Sequence, residues 1–255
     1  MHRIYRIDYG GAPRYAVERD GKWRLASGTP FEGLREEDSI DSKTARFLPP
    51  VVPSKIVAIG LNYKDHAAEQ NKPLPKEPMM FIKPSTAIVG PGEAIRVTPA
   101  MGRVDHEAEA GVVIGRRAYR VPASQAHEYV LGLTCVNDVT ARELQAKDVQ
   151  YTRAKGFDTF APVGPCIAVA DLGFPGREVT VEGWVNGDRR QSSSTRELIF
   201  DIPTLVAFVS SVMTLLPGDV ISTGTPSGIG PIRPGDLVTI TVGGVGELSN
   251  PVEAL

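Results

Sequence analysis

The sequence predicts a mainly β, mixed α/β chain, and three observations carry that expectation. Twenty-six glycines and 21 prolines are spread along 255 residues, the pattern of many short strands joined by defined turns. Runs such as "HRIYRIDYG", "KIVAIGL" and "GVVIG" recur between those turns and are rich in β-branched and aromatic residues. Stretches with helical periodicity are few.

Taken in order, the first 48 residues hold three β-type runs, "HRIYRIDYG", "RYAVERD" and "KWRLASG". They are punctuated by Gly10-Gly11 and Asp20-Gly21, the second a hairpin signal because both positions accept positive φ. A small antiparallel unit over 1–48 follows from this. "FLPPVVPS" at 47–54 fixes φ three times and removes three backbone donors, so a boundary is placed there, with a second, larger domain over 54–255. "KIVAIGL" is an unbroken apolar strand, and Asn62 is expected to cap a short helix in "YKDHAAEQ". "NKPLPKEP" is polar and proline-punctuated, an exposed loop. "GLTCVND" reads as a strand, and "TARELQAKDVQYTRAKG" as one helix closed by Gly156 at C′. A last helix is capped by Asp201, carries Pro203 in its first turn and presents Leu205, Phe208, Val209 and Val212 as its apolar face. Strands and tight turns then resume through "GDVISTGTPSGIG".

Composition narrows the function. Lys and Arg number 28 against 30 Asp and Glu, which leaves no electrostatic footprint of a nucleic-acid or anionic-membrane binder. The N-terminus lacks the apolar stretch of a secretory signal. The longest apolar run, the 13 residues at 204–216, falls short of the ~20 that cross a bilayer. A cytoplasmic protein with a small-molecule partner is expected. Cys135 and Cys166 have small or apolar neighbours and no C-x-x-C spacing, so both read as free core thiols.

The chemistry centres on "RVDHEAEAGVVIG". In a strand Asp105, Glu107 and Glu109 share one face and His106 takes the other. That acidic face is either wet, with arginine partners across the sheet, or coordinated to a cation. Its direct continuation into "GVVIG" argues for a buried neighbourhood, where adjacent carboxylates repel unless a cation neutralises them. Asp138 in "CVNDVTARELQ" ends a second strand; it is either a third ligand or a helix cap. Three carboxylates with no convergent Cys or His suit Mg²⁺, Mn²⁺ or Ca²⁺ rather than zinc. Asp105, at the strand's start, and His106, on the opposite face, have the weaker claims.

His66 and Glu69 stand at i and i+3, so a carboxylate can orient an imidazole; a solvated helix face is the plain alternative. Lys155, near a helix end, and Arg142 with Gln145, another i, i+3 pair, also have purely structural readings. "GTPSGIG" at 224–230 is neither G-x-S-x-G nor a P-loop. It is a tight turn, or a turn whose backbone N–H groups and Thr225 hydroxyl hold a carboxylate.

The ordered segments "GLNYKDHAAE", "FIKPSTAIVGPGEAI", "VDHEAEAGVVIGRRA", "CVNDVTARELQ", "RAKGFDTFAPVGP" and "STGTPSGIG" resemble the fumarylacetoacetate hydrolase family over about residues 54 to 255. The resemblance implies a fumarylacetoacetase-like β roll, a homodimer and a Mg²⁺ or similar ion held by Glu107, Glu109 and Asp138. It implies a catalytic lysine at Lys155, a further site lysine at Lys83, and substrate contacts from Arg142, Gln145, Gly224 and Thr225. His66 and Glu69 match a catalytic pair on a lid. Gly156 departs from members that carry serine there, which bears on the substrate. The implied reaction is metal-assisted hydrolytic carbon–carbon cleavage of a small 2-oxo acid or acylpyruvate. Isomerisation of a hydroxy-dienedioate, or decarboxylation, on the same site is the alternative. A non-catalytic binding module, with the acids in a salt-bridge array, is the reading from another class.

Overall fold

The computed structural model describes residues 2–169 and 178–255. Two turns of two residues and one of three set the first register: β1 (His2–Tyr9), β2 (Ala12–Arg19), β3 (Lys22–Thr29) and β4 (Gly33–Ser39) pair antiparallel in succession. Asp20 and Gly21, between β2 and β3, take φ of 50° and 77°, the backbone whose twist matches a two-residue hairpin.

The remaining elements are β5 (Arg46–Leu48), β6 (Ile56–Gly60), α1 (Lys64–Glu69), β7 (Met79–Lys83), β8 (Ile88–Val89), β9 (Ile95–Val97), β10 (Val104–His106), β11 (Ala108–Ile114), β12 (Val130–Asn137) and β13 (Thr140–Ala141). Two short helices, α2 (Arg142–Lys147) and α3 (Thr152–Lys155), precede β14 (Ala161–Val169), β15 (Thr180–Val185) and β16 (Asp188–Ser194). Then come α4 (Ile202–Val212), β17 (Val220–Ser222), β18 (Gly230–Pro231), β19 (Leu237–Val242) and β20 (Gly246–Ala254).

A 12-stranded mixed sheet runs β4-β3-β2-β1-β14-β12-β11-β17-β6-β7, with β5 on β1 and β8 on β14. The N-terminal strands join it directly: His2, Arg3 and Ile4 face Val169, Ala168 and Ile167 across β1 and β14. A second sheet, β16-β15-β19-β20-β9, lays Val181, Ile240 and Leu248 on Ala110, Val112 and Leu133 of the first, and α4 adds Leu205, Val206 and Val209 to the same core. β10 belongs to a third, small sheet with β13 and β18. β11 is buried along its whole length between β12 and β17, so a one-residue slip would exchange every side chain between two packed faces.

Several local expectations change. Asn62 does not cap α1; Tyr63 precedes the helix without a side-chain bond. The Asn62 carboxamide, fully buried, instead bonds the Phe200 N–H at 2.8 Å and the carbonyls of Thr223 and Phe200 at 2.7 and 3.1 Å, because a buried amide must satisfy all its polar groups. Asp138 caps nothing, since Ala141 precedes α2. The single helix expected up to Gly156 is two, broken where Asp148 turns extended and takes the Arg153 guanidinium through two bonds. Gly156 has φ of −110° and forms no left-handed C′. Its reason is space: a Cβ there would lie 2.4 Å from the Thr152 carbonyl oxygen. Asp201 does cap α4 through the Thr204 N–H, but Val212 is exposed, and Ile202 and Val206 complete the inward face. Cys135 and Cys166 are free and buried. No helix among the described residues is long and apolar enough to cross a membrane.

Candidate active site

Glu107 stands where the chain leaves β10 and enters β11, and Glu109 is the second residue of β11. The strict alternation expected through both is therefore interrupted at Glu107, yet the side chains converge. Asp138, just beyond β12, donates its backbone N–H to the Glu107 carbonyl at 3.0 Å. One carboxylate oxygen from each of Glu107, Glu109 and Asp138 lies within 4.8 Å of the others, and all three residues are buried.

Cations are packed around these acids. Lys155 Nζ donates to Glu107 Oε2 at 2.9 Å and Asp138 Oδ2 at 2.6 Å. Lys83, with no solvent exposure, donates to Asp138 Oδ1 at 2.5 Å and to the Val139 carbonyl at 3.1 Å; neither Lys83 nor Asp138 is among the cavity-lining residues. Arg142 pairs with Glu107 at 2.5 Å and with Asp105 at 2.8 Å. Asp105 also takes the Arg103 guanidinium through two bonds. Asp105 is thus no ligand but the buried anchor that aims Arg142, a role that spacing along one strand did not reveal. His106 turns away, its Nδ1 3.1 Å from Gln191 Oε1.

The electrostatics differ sharply between neighbours. Burial alone would raise Glu107, but the Lys155 and Arg142 charges outweigh it and hold the carboxyl well below its usual range. Glu109 has no such partner; burial, then the charges of Asp138 and Glu107, push it up to about 8. Burial pulls both lysines down; for Lys83 it prevails over Asp138, whereas Asp138 and Glu107 raise Lys155 on balance. Three buried, converging carboxylates with hard oxygen donors only fit a divalent cation of the Mg²⁺, Mn²⁺ or Ca²⁺ type.

The Gly-rich turn after β17 does hold carboxylates, but they are the protein's own. Gly224 donates its N–H to Glu109 Oε2 at 2.9 Å, beside the Ser222 hydroxyl at 2.5 Å. Gly224 has φ of 97°, and a Cβ would lie 2.7 Å from Asn62 Cβ, so only glycine fits. Thr225 donates its hydroxyl to the Ala108 carbonyl and accepts from Gln191 Nε2, at 2.9 and 2.8 Å. Gly228 donates to Glu69 Oε1 at 3.0 Å, and Ser227 to Asp65 Oδ2 at 3.2 Å, so the turn seats α1.

On α1, Glu69 Oε2 lies 2.8 Å from His66 Nδ1, and Gln70 Nε2 lies 2.7 Å from His66 Nε2. A carboxylate can only accept, so the proton shared with Glu69 sits on Nδ1, and Nε2 faces the Gln70 amide NH₂. His66, Glu107, Glu109, Arg142, Gln145, Lys155 and Thr225 all line one cavity of about 290 Å³. Gln145 gives its carbonyl oxygen to Arg142 Nη1 at 2.9 Å, which leaves its NH₂ as a donor.

Sequence reasoning missed the cavity's Gln70, Lys72, Phe81 and Tyr151. Gln70 was visible as i+4 from His66. Phe81 and Tyr151, which meet edge-on at 5.6 Å, left no joint signal because 70 residues separate them.

Comparisons with known proteins place the chain in a family. The profile described as "Fumarylacetoacetate (FAA) hydrolase C-terminal" matches residues 55–253. A crystal structure of 5-carboxymethyl-2-hydroxymuconate delta-isomerase from Mycobacterium smegmatis is 44% identical, covers 99% of this chain and 100% of its own, and superposes with a TM-score of 0.91. The mitochondrial oxaloacetate tautomerase of Xenopus laevis is 40% identical over 83% of this chain and 69% of its own length. Maleylpyruvate hydrolase from Sphingobium, solved with manganese(II) and pyruvate, is 30% identical over 99% of both chains with a TM-score of 0.81. The mainly β architecture is theirs, and the chain belongs to the fumarylacetoacetate hydrolase family.

Proposed function

We propose that this chain is a divalent-metal-dependent enzyme that hydrolyses a carbon–carbon bond in a small acylpyruvate-type 2-oxo acid. The observation that carries the reading is that Glu107 and Glu109 of the three-carboxylate cluster line one cavity with His66, whose ring Glu69 holds.

Charge supports a 2-oxo acid as the guest. Asp105, Glu107, Glu109 and Asp138 face Arg103, Arg142, Lys83 and Lys155, four acids against four bases. Adding a divalent cation to this balanced set leaves two positive charges, which suit a carboxylate plus a developing enolate oxygen. A Mg²⁺ or Mn²⁺ ion held by Glu107, Glu109 and Asp138 would supply Lewis acidity to those oxygens.

The residues divide the remaining work. Glu69, braced by Gly228, fixes the His66 ring so that Nε2 is its basic nitrogen. His66 takes a proton from water, and the resulting hydroxide adds to the distal carbonyl carbon. The carbon–carbon bond then breaks with its electron pair entering the enolate, and the proton held at Nε2 returns to the enolate carbon. Lys155 and the Gln145 NH₂ hold the oxygen on which charge grows. Ile59, Met79, Phe81 and Tyr151 give the cavity an apolar side for the acyl group.

A second reading, isomerisation, tautomerisation or decarboxylation of a related oxo-diacid, draws on Lys155, a cation beside the acids that can move a proton without a water. The activities named for the isomerase and tautomerase relatives favour it too. Purified protein with Mg²⁺ or Mn²⁺ is to be assayed against acetylpyruvate, fumarylpyruvate, oxaloacetate and 2-hydroxyhepta-2,4-dienedioate. Release of pyruvate from either acylpyruvate upholds hydrolysis. Turnover of the last two alone replaces it with the second reading, and turnover of none discards both.

A further inference from the structure

Gln70 follows the last residue of α1, half-buried, with φ of −87° and ψ of 1°. Its amide nitrogen sits 2.7 Å from His66 Nε2, and both side chains line the cavity. A neutral imidazole whose proton is on Nδ1 has one in-plane lone pair, on Nε2. That lone pair is the only site on the ring able to accept a proton from water, and Gln70 engages it.

We infer that Gln70 is a positioning residue that caps the basic nitrogen of His66, and that this cap shifts the enzyme's partition away from water activation toward enolate chemistry that needs no hydroxide. The inference rests on the hydrolytic reading above and deepens it. Hydrolysis requires the water O–H bond to break with the proton passing to Nε2, so the carboxamide must first leave. Ketonisation of an enol moves a proton between oxygen and carbon, consumes no water, and is open to Lys155 with the cap in place. A neutral hydrogen bond is worth about 0.5–1.5 kcal/mol net, which corresponds to about two- to tenfold in the rate of the step that must break it. Its geometry also keeps the base from stray water between turnovers.

Glu69 and Gln70 divide the ring between them. Glu69 fixes which nitrogen is basic, and Gln70 decides whether that nitrogen is available. Asp65 and Glu69 dock α1 on Ser227 and Gly228, so the cap is held by a seated helix and not by the side chain alone.

Two substitutions test this, Gln70→Met, which keeps the length and loses the donor, and Gln70→Ala. Two readouts are taken. The first needs no activity: in ¹⁵N-labelled protein, the unprotonated ring nitrogen of His66 should move to higher chemical shift in Gln70→Met, as an acceptor losing its donor does. The second, in the Mg²⁺-loaded enzyme, is the ratio of acetylpyruvate hydrolysis to oxaloacetate enol–keto conversion, which should rise about two- to tenfold in both variants. A ratio that is unchanged or falls, with hydrolysis present, overturns the inference and assigns Gln70 to holding the water. An unmoved His66 resonance overturns it as well. Absence of acetylpyruvate hydrolysis in the parent and both variants sinks the hydrolytic reading and the partition claim with it, while the resonance still decides whether the cap exists. Unchanged melting temperatures rule out loss of fold as the cause of any shift.

Discussion

Lys83 donates to Asp138 Oδ1 from a position with no solvent exposure. Lys155 holds the other oxygen of the same carboxylate. Asp138 is therefore compensated and oriented before any cation arrives.

Removing Lys83 should cost more than a salt bridge is worth at a surface, because it strands a buried charge. Lys83→Met is expected to lower unfolding free energy by about 3–5 kcal/mol in the metal-free protein. Urea denaturation measures it, and a loss below about 1 kcal/mol would show that water or rearrangement reaches Asp138.

Glu109 sets the pH response. Its folded pKa, about 8, lies above the ordinary value of 4.5. A raised folded pKa means that its stabilising contribution is complete below the ordinary value and is lost as pH rises toward 8. Metal-free protein should therefore lose stability across that window. A divalent ion needs the ionised carboxylate, so the Mg²⁺- or Mn²⁺-induced rise in melting temperature should grow from pH 6 to 8.5 and then level off. In Glu109→Gln the metal-free slope should flatten. A metal shift that does not vary with pH in the parent would place the ion elsewhere.

The dyad makes separable demands. His66→Ala should reduce hydrolytic kcat by about 10²–10⁴-fold, the usual contribution of a positioned general base, and Glu69→Gln should reduce it less because the imidazole remains. Both should keep the metal-induced melting shift. Stopped-flow release of pyruvate distinguishes these from Glu107→Gln, in which the metal shift itself should disappear.

Asp105 gives a test of indirect positioning. Asp105→Ala frees Arg142 from one of its two carboxylates and leaves Arg103 without its partner. The charged hydrogen bond lost is worth about 1.5–3 kcal/mol. KM for the acylpyruvate should rise by about tenfold or more with a smaller change in kcat.

Much of the site was legible because its chemistry is local. Glu107 and Glu109 are two apart, His66 and Glu69 three apart, and Asp20-Gly21 and Asp201 act on their immediate neighbours. What escaped reading depends on partners distant in the chain. Asn62 looked like a helix cap until Phe200 and Thr223 claimed its amide. The helix through Asp148 was continuous in propensity, yet it ends at Asp148, which turns extended and pairs with Arg153 five residues on. Gly156 is required by the Thr152 carbonyl and not by left-handed backbone. Gln191 carried no signal at all, yet its carboxamide bonds Ala108, Thr225 and Pro226, joining the second sheet to the strand that bears Glu109. Such contacts are set when sheets stack, and one strand's pattern does not contain them.

The turn after β17 grips Glu109 through Gly224 and Glu69 through Gly228. The acid cluster and the His66–Glu69 pair thus share one mechanical support. On the proposed reading, a backbone change that displaces the whole turn bears on metal affinity and on the base together.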